Sequence, residues 1–276
     1  LEKTFLDSYI GSSRRPRRRF LKNPAPRTAQ EARTFPYYTI FQIYLSREAF
    51  ILNLWYPCPN LFREYFFMYI AIEGVIGVGK TTLARLLQNT FEAEVLLEIF
   101  EENPFLSDFY ADRARYAFQT QIFFLLSRYH QQNNNVPKIL AGGQNLIADY
   151  TFAKDALFAG INLQGDELTM YHRVHEALGE KIPKPDLLVY LQASADTLMS
   201  RIAFRDRPYE RKMERAYIDE LNHAYEDFFS KPFDHTPVLK IDSNELDIIH
   251  NPEHLKRIEN RIRETLSLPP FQATLL

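Results

Sequence analysis

The stretch Phe66–Leu87, FFMYIAIEGVIGVGKTTLARLL, decides the architecture. Its centre, GVIGVGKT at Gly74–Thr81, satisfies G-x-x-x-x-G-K-S/T, the spacing of a phosphate-binding loop. It follows a short apolar run, YIAIE, and opens an apolar-periodic one, KTTLARLLQNTF, so the loop lies between a strand and a helix, as its chemistry requires. Gly74, Val75, Ile76, Gly77, Val78, Gly79, Lys80, Thr81 and Thr82 are therefore the candidate residues for a nucleoside triphosphate. The glycines let backbone N–H groups curl around phosphate oxygens, and the helix N-terminus adds partial positive charge. Lys80 is placed to reach the β- and γ-phosphates, and the Thr81 hydroxyl to hold Mg²⁺.

The same stretch contains Met68, the first methionine, and the residues ahead of it read differently from those behind. SSRRPRRRF is a basic run, and NPAPRTAQEARTFPYY is broken by proline without a helical or strand period. An arginine-rich targeting or nucleic-acid arm is one reading. The other, which we adopt, is an N-terminal extension, residues 1–67, that is unstructured or not natively translated. The chain begins with Leu1 and meets its first methionine directly before a core strand.

Charge follows the same seam. Residues 1–67 carry 11 Lys and Arg against 5 Asp and Glu, a net of +6, and the chain total of −2 leaves −8 for residues 68–276. An acidic catalytic part argues against a nucleic-acid partner, so any anion site there is built locally. The most apolar early run, YYTIFQIYLSREAFILNLWYP, is interrupted by Arg47 and Glu48, which argues against a membrane span. A single cysteine, Cys58, excludes an internal disulfide framework and fits a reducing compartment such as the cytoplasm.

From Met68 onward, strand and helix patterns alternate. Apolar strands are expected at YIAIE, EVLLE, NLIADY, PDLLVYLQ and TPVLKID. Helices are expected at KTTLARLLQNTF, RARYAFQTQIFFLLSRYHQQ, DELTMYHRVHEAL, SADTLMSRIAF, MERAYIDELNHAYEDFFS and PEHLKRIENRIRETL. Such alternation implies right-handed crossovers, hence an α/β three-layer sandwich around a five-stranded parallel sheet. The N-K-x-D motif of a GTPase is absent, and residues 68–276 suit a small-molecule kinase better than a motor or transport ATPase.

Five further motifs, at matching order and spacing over nearly all of residues 68–276, resemble the deoxyribonucleoside kinase family, and within it the bacterial deoxyadenosine and deoxyguanosine kinases. In LLEIFEENPFL, Glu98 falls where the family has its general base for the nucleoside 5′-hydroxyl, although EIF replaces the usual E-P-V. A carboxylate at the end of a parallel strand faces the ligand crevice and can take that proton. Glu101 and Glu102 are the neighbouring alternatives, and Glu98 is preferred because the strand ends there. In YADRARYAFQTQIFFLLSR, the resemblance makes Tyr110 a ligand of the sugar 3′-hydroxyl and Gln121 the reader of the base, with Arg128 seven residues on and on the same side of the helix.

In ADYTFAKD, the resemblance makes Asp149 a holder of Mg²⁺ through water and Asp155 the partner of Arg128 beside the base, a pairing expected of purine-preferring members. Tyr150 stands where the family has an arginine, so that arginine's role falls elsewhere or is lost. In RIAFRDRPYE, Arg201, Arg205 and Arg207 match an arginine-rich lid that stabilises the transferring phosphoryl group, and Glu210 matches an acid that reaches the sugar. KIDSNELD resembles the loop around the adenine of ATP, with Glu245 at the matching position.

The expectation is thus a P-loop kinase domain, residues 68–276, transferring the γ-phosphoryl group of ATP, with Mg²⁺, to the 5′-hydroxyl of a purine deoxynucleoside. The resemblance also implies a homodimer. One rival is a thymidylate-type monophosphate kinase; Glu98, Glu101 and Glu102 on the acceptor side would repel its phosphorylated substrate. The other is a non-catalytic nucleotide-binding relative, which Tyr150 keeps open.

Overall fold

The structure, a computed structural model, describes residues 67–269 apart from Glu101 and Asp234. What the sequence suggests for residues 1–66, and for Glu101, lies outside the described residues.

Five strands form one sheet: β1 (Tyr69–Glu73), β2 (Ala93–Leu96), β3 (Asn145–Ala148), β4 (Leu187–Gln192) and β5 (Val238–Asp242). Their order is β2-β3-β1-β4-β5, and every pairing is parallel. Parallel neighbours need crossovers, which come from α1 (Lys80–Thr90), α2 (Leu106–Ala111), α3 (Arg113–Ala141), α4 (Lys154–Asn162), α5 (Gly165–Gly179), α6 (Ala195–Arg205), α7 (Arg215–Phe228) and α8 (Pro252–Thr265).

Alternate residues of β1 enter two separate cores. Ile70 and Ile72 pack with Leu83 and Leu87 of α1, whereas Tyr69 and Ala71 pack with Val136, Leu146 and Tyr150. Both faces of the central strand are therefore covered, which is why its sequence is continuously apolar. The sheet order reverses at β1: the chain goes from β1 to the edge strand β2, returns to place β3 between them, and then adds β4 and β5 on the other side. In such sheets the ligand crevice lies beyond the carboxyl ends of the strands at that reversal. The residues following β1, β2, β3 and β5 bring the loop 74–79, Glu98, Asp149 and Ser243 to that one edge.

Three elements differ from the sequence expectation. The short helix α2 is absent from the expected list; its six residues are too few to show an apolar period. Helix α3 continues past Gln132 to Ala141 and includes Pro137, which lacks an N–H for the intrahelical ladder. The continuation is held by Gln132 and Val136, both buried, and by Ile139 and Leu140 against the second core. Helix α4 was not anticipated, because nine residues with a weak period fall between two loops. It carries Lys154 and Asp155 into the site.

Glu73, at the end of β1, is fully buried. Its Oε1 accepts from the Thr151 N–H at 2.6 Å and the Thr151 hydroxyl at 2.9 Å, and its Oε2 accepts from the Tyr225 hydroxyl at 3.1 Å and the Gly74 N–H at 3.3 Å. A buried charge survives only with such a full set of donors. The carboxylate thereby joins β1, the loop after β3 and α7. Tyr225→Phe removes one donor and is expected to lower the unfolding free energy by about 1–3 kcal/mol in urea titrations. An unchanged midpoint would show that this bond contributes nothing.

Candidate active site

A cavity of about 720 Å³ opens at the carboxyl edge of the sheet. Residues Ile76–Thr82 of the phosphate loop form its floor, while Gly74 and Val75 lie just behind it. The loop's path needs glycine at two places. Gly74 has φ +146°, and a β-carbon there would sit 2.4 Å from the Leu191 carbonyl oxygen. Gly77 has φ +89°, with α6 so close that a β-carbon would meet Ile202 at 2.9 Å.

Lys80 Nζ donates to the Gly74 carbonyl at 2.6 Å and the Val75 carbonyl at 3.2 Å, folding the side chain back over the loop. Burial, reinforced by the neighbouring Lys154, pushes its ammonium down to about 8. Both influences favour an anionic partner for it. The Thr81 hydroxyl donates to Asp149 Oδ2 at 2.5 Å, and Asp149 Oδ1 accepts from the Glu98 N–H at 2.8 Å. A hydroxyl and a carboxylate in contact fit Mg²⁺, which takes one or two protein oxygens and completes its shell with water and phosphate. Among the described residues no group of three or more His, Cys, Asp or Glu side chains forms a denser cage.

Around Glu98 four charges interlock. Glu98 Oε1 accepts from Arg128 Nε at 3.0 Å and from a second guanidinium nitrogen, and Oε2 accepts from Lys154 Nζ at 2.6 Å. The remaining arm of Arg128 bonds the buried Asp155 carboxylate. Burial would raise the Glu98 carboxyl, but Arg128 and Lys154 outweigh it and hold it well below the usual carboxylate range. Arg128 also lies 4.6 Å from the Phe124 ring centroid. Glu98, Gln121, Phe124, Arg128 and Lys154 line the cavity, whereas Asp155 stands behind Arg128. Glu102 is exposed and outside the lining.

Tyr110 and Glu210 line the next part of the wall. Burial, with Tyr217 and Glu210 nearby, raises the Tyr110 phenol far above its ordinary range, so it stays a hydrogen-bond donor. Arg205 binds Glu210 through both carboxylate oxygens, at 2.7 and 2.6 Å. Arg207 lies 3.8 Å from the same carboxylate and 4.3 Å from the Phe100 ring centroid. Arg201 is differently employed. It donates to the Val78 carbonyl at 3.2 Å and to the Ser243 carbonyl at 2.6 Å, bracing the phosphate loop against the turn after β5. Glu245 is exposed and outside the lining; Asp247–His250 face the cavity instead, opposite Phe204 of α6, which is 92% exposed.

The deoxynucleoside kinase profile matches residues 70–267, almost the whole described region. This chain belongs to the deoxynucleoside kinase family. It is 37% identical over 201 residues to the deoxyguanosine kinase of Bacillus subtilis, covering 72% of this chain and 97% of that one. It is 30% identical over 207 residues to the deoxyadenosine/deoxycytidine kinase of the same organism, covering 71% and 92% of the two chains. Among solved structures, deoxyadenosine kinase from M. mycoides with bound dATP superposes with a TM-score of 0.62 at 27% identity, covering 71% of this chain and 99% of that one. The chain is accordingly a phosphotransferase that uses a nucleotide donor and a deoxynucleoside acceptor.

For this kinase the sequence reading passed over Lys154 and Glu73. Lys154 had one signal, its place beside Asp155 in ADYTFAKD; Glu73, the last residue of YIAIE, had none beyond being a charge at a strand end. Arg128→Met leaves Asp155 charged and buried without its partner. It should cost about 3–5 kcal/mol in chemical unfolding, and Arg128→Met/Asp155→Leu should recover most of that loss. Equal destabilisation of both variants would contradict the pairing.

Proposed function

We propose that this kinase transfers the γ-phosphoryl group of ATP, with Mg²⁺, to the 5′-hydroxyl of a purine deoxynucleoside. The observation that carries the reading is one continuous cavity with the phosphate loop at one end and Glu98, Gln121 and Arg128 at the other. A donor held on the loop directs its γ-phosphate toward Glu98, and Glu98 accepts the proton of the attacking hydroxyl. Tyr110 and Glu210 hold the sugar through its 3′-hydroxyl. The Gln121 amide offers one donor and one acceptor to a base edge, beside the Phe124 ring and the Arg128 guanidinium.

Thr81 and Asp149 would hold Mg²⁺, which would supply charge neutralisation at the donor phosphates. Lys80 leaves the loop carbonyls for those phosphates. Arg205 and Arg207 form the lid: substrate draws Glu210 toward the sugar and frees both guanidiniums for the transferring group. The donor's base lies between Phe204 and the Asp247–His250 turn. Positioning and electrostatics suffice for such a transfer, with no covalent intermediate.

Purine preference is supported by the Arg128–Asp155 pair beside Gln121 and by a relative named deoxyguanosine kinase at 37% identity. We also propose a homodimer, supported by Leu126 on α3 and Met170 on α5, large apolar side chains each 42% exposed on neighbouring helices. The lone cysteine fits a cytoplasmic setting. No helix among the described residues is long and apolar enough to cross a membrane.

Steady-state assays with ATP and a panel of deoxynucleosides and their monophosphates test the reading. Deoxyguanosine or deoxyadenosine should give the highest kcat/KM, and a pyrimidine or a monophosphate in first place would contradict it. Glu98→Gln should lower kcat about a hundred- to ten-thousand-fold. Excess EDTA should abolish turnover and added Mg²⁺ restore it; full activity in EDTA would remove the metal from the account.

A further inference from the structure

Lys154 occupies an unfavourable place for a cation. It is 5% exposed, and it is the first residue of α4, where the helix dipole presents its positive end. Its ammonium lies 5.7 Å from the Phe158 ring centroid and 2.6 Å from Glu98 Oε2. A buried lysine under these conditions depends on its anionic partner. Tyr150 cannot serve instead: its ring is fully buried in the second core, and its hydroxyl donates to Gln131 Oε1 at 2.5 Å.

The geometry at Glu98 shows what the lysine contributes. A carboxylate has about four lone-pair sites, two on each oxygen. Arg128 fills Oε1 with two N–H groups, and Lys154 takes one side of Oε2. One acceptor site on Oε2 remains. We propose that Lys154 is a positioning residue for phosphoryl transfer, binding Glu98 Oε2 so that the remaining lone pair of that oxygen is aimed at the acceptor's 5′-hydroxyl. The proposal rests on Glu98 as the base.

In the step itself the 5′-oxygen forms its bond to the γ-phosphorus and its proton passes to Oε2. The bond from the γ-phosphorus to the bridging oxygen breaks, and its electron pair leaves with the nucleoside diphosphate. Glu98, Asp155, Arg128 and Lys154 together carry no net charge before the step. The arriving proton leaves one positive charge beside the transferring group; Lys154 stabilises the ionised form of Glu98, so what it contributes to the step is the aim of the free lone pair and not a gain in proton affinity.

The test uses the full chain with ATP, Mg²⁺ and whichever deoxynucleoside it turns over fastest, so that it does not depend on base preference. Lys154→Met should lower kcat by about tenfold or more while KM for both substrates moves less than about threefold, and Lys154→Arg should restore most of the rate. In a Glu98→Gln background, Lys154→Met should cost less than about twofold, because the lysine acts only through that carboxylate. A full, multiplicative loss in that background would overturn the proposal, as would a change confined to KM for ATP. Should Lys154→Met melt below the assay temperature, Lys154→Gln replaces it under the same comparison. Unchanged turnover by Glu98→Gln alone would overturn the base assignment and this proposal with it; normal loss there with additive Lys154 effects would overturn this proposal only.

Discussion

Asp149 holds the two halves of this active site in register. One carboxylate oxygen takes the hydroxyl of Thr81 from the phosphate loop, and the other takes the backbone N–H of Glu98, just after β2. These residues belong to three chain segments separated by tens of positions, and only the parallel sheet brings them together. The separation of the phosphate loop from Glu98 is thereby set by backbone and one short side chain, with little rotamer freedom to lose. Phosphoryl transfer depends chiefly on such positioning, since the protein has little covalent chemistry to perform.

Around that fixed point the charges are arranged in closed groups. Lys80 rests on loop carbonyls, Arg205 on Glu210, and Arg128 and Lys154 on Glu98. Each cation that a phosphate would recruit already has a partner, which offsets part of the cost of burying it before substrate arrives. Glu73 plays the structural counterpart, with four donors that never need to move. The difference between the two carboxylates is access: Glu98 lines the cavity, and Glu73 is sealed beneath it.

Much of this was legible from local sequence. The phosphate loop, the strands and most helices declare themselves within ten or twenty residues, because glycine spacing and apolar period act over that range. The sheet is five-stranded and parallel, as the alternation of patterns implied. Glu98, Tyr110, Gln121, Arg128 and Glu210 were placed by ordered motifs, and the structure brings them to one cavity. Lys154 escaped because its significance is a contact with a residue 56 positions away. The extension of α3 escaped because a run of asparagines and a proline mask an apolar stripe that only the second core makes useful. The bracing position of Arg201 likewise depends on Ser243, which no local spacing connects to it.

The most direct measurement is a crystal structure of the chain with deoxyguanosine and ADP bound. The nucleoside O5′ is expected within about 2.6–3.2 Å of Glu98 Oε2, with Lys154 still on that oxygen and the base edge on Gln121. A nucleoside whose O5′ lies away from Glu98, or Lys154 turned onto the donor phosphates, would contradict it.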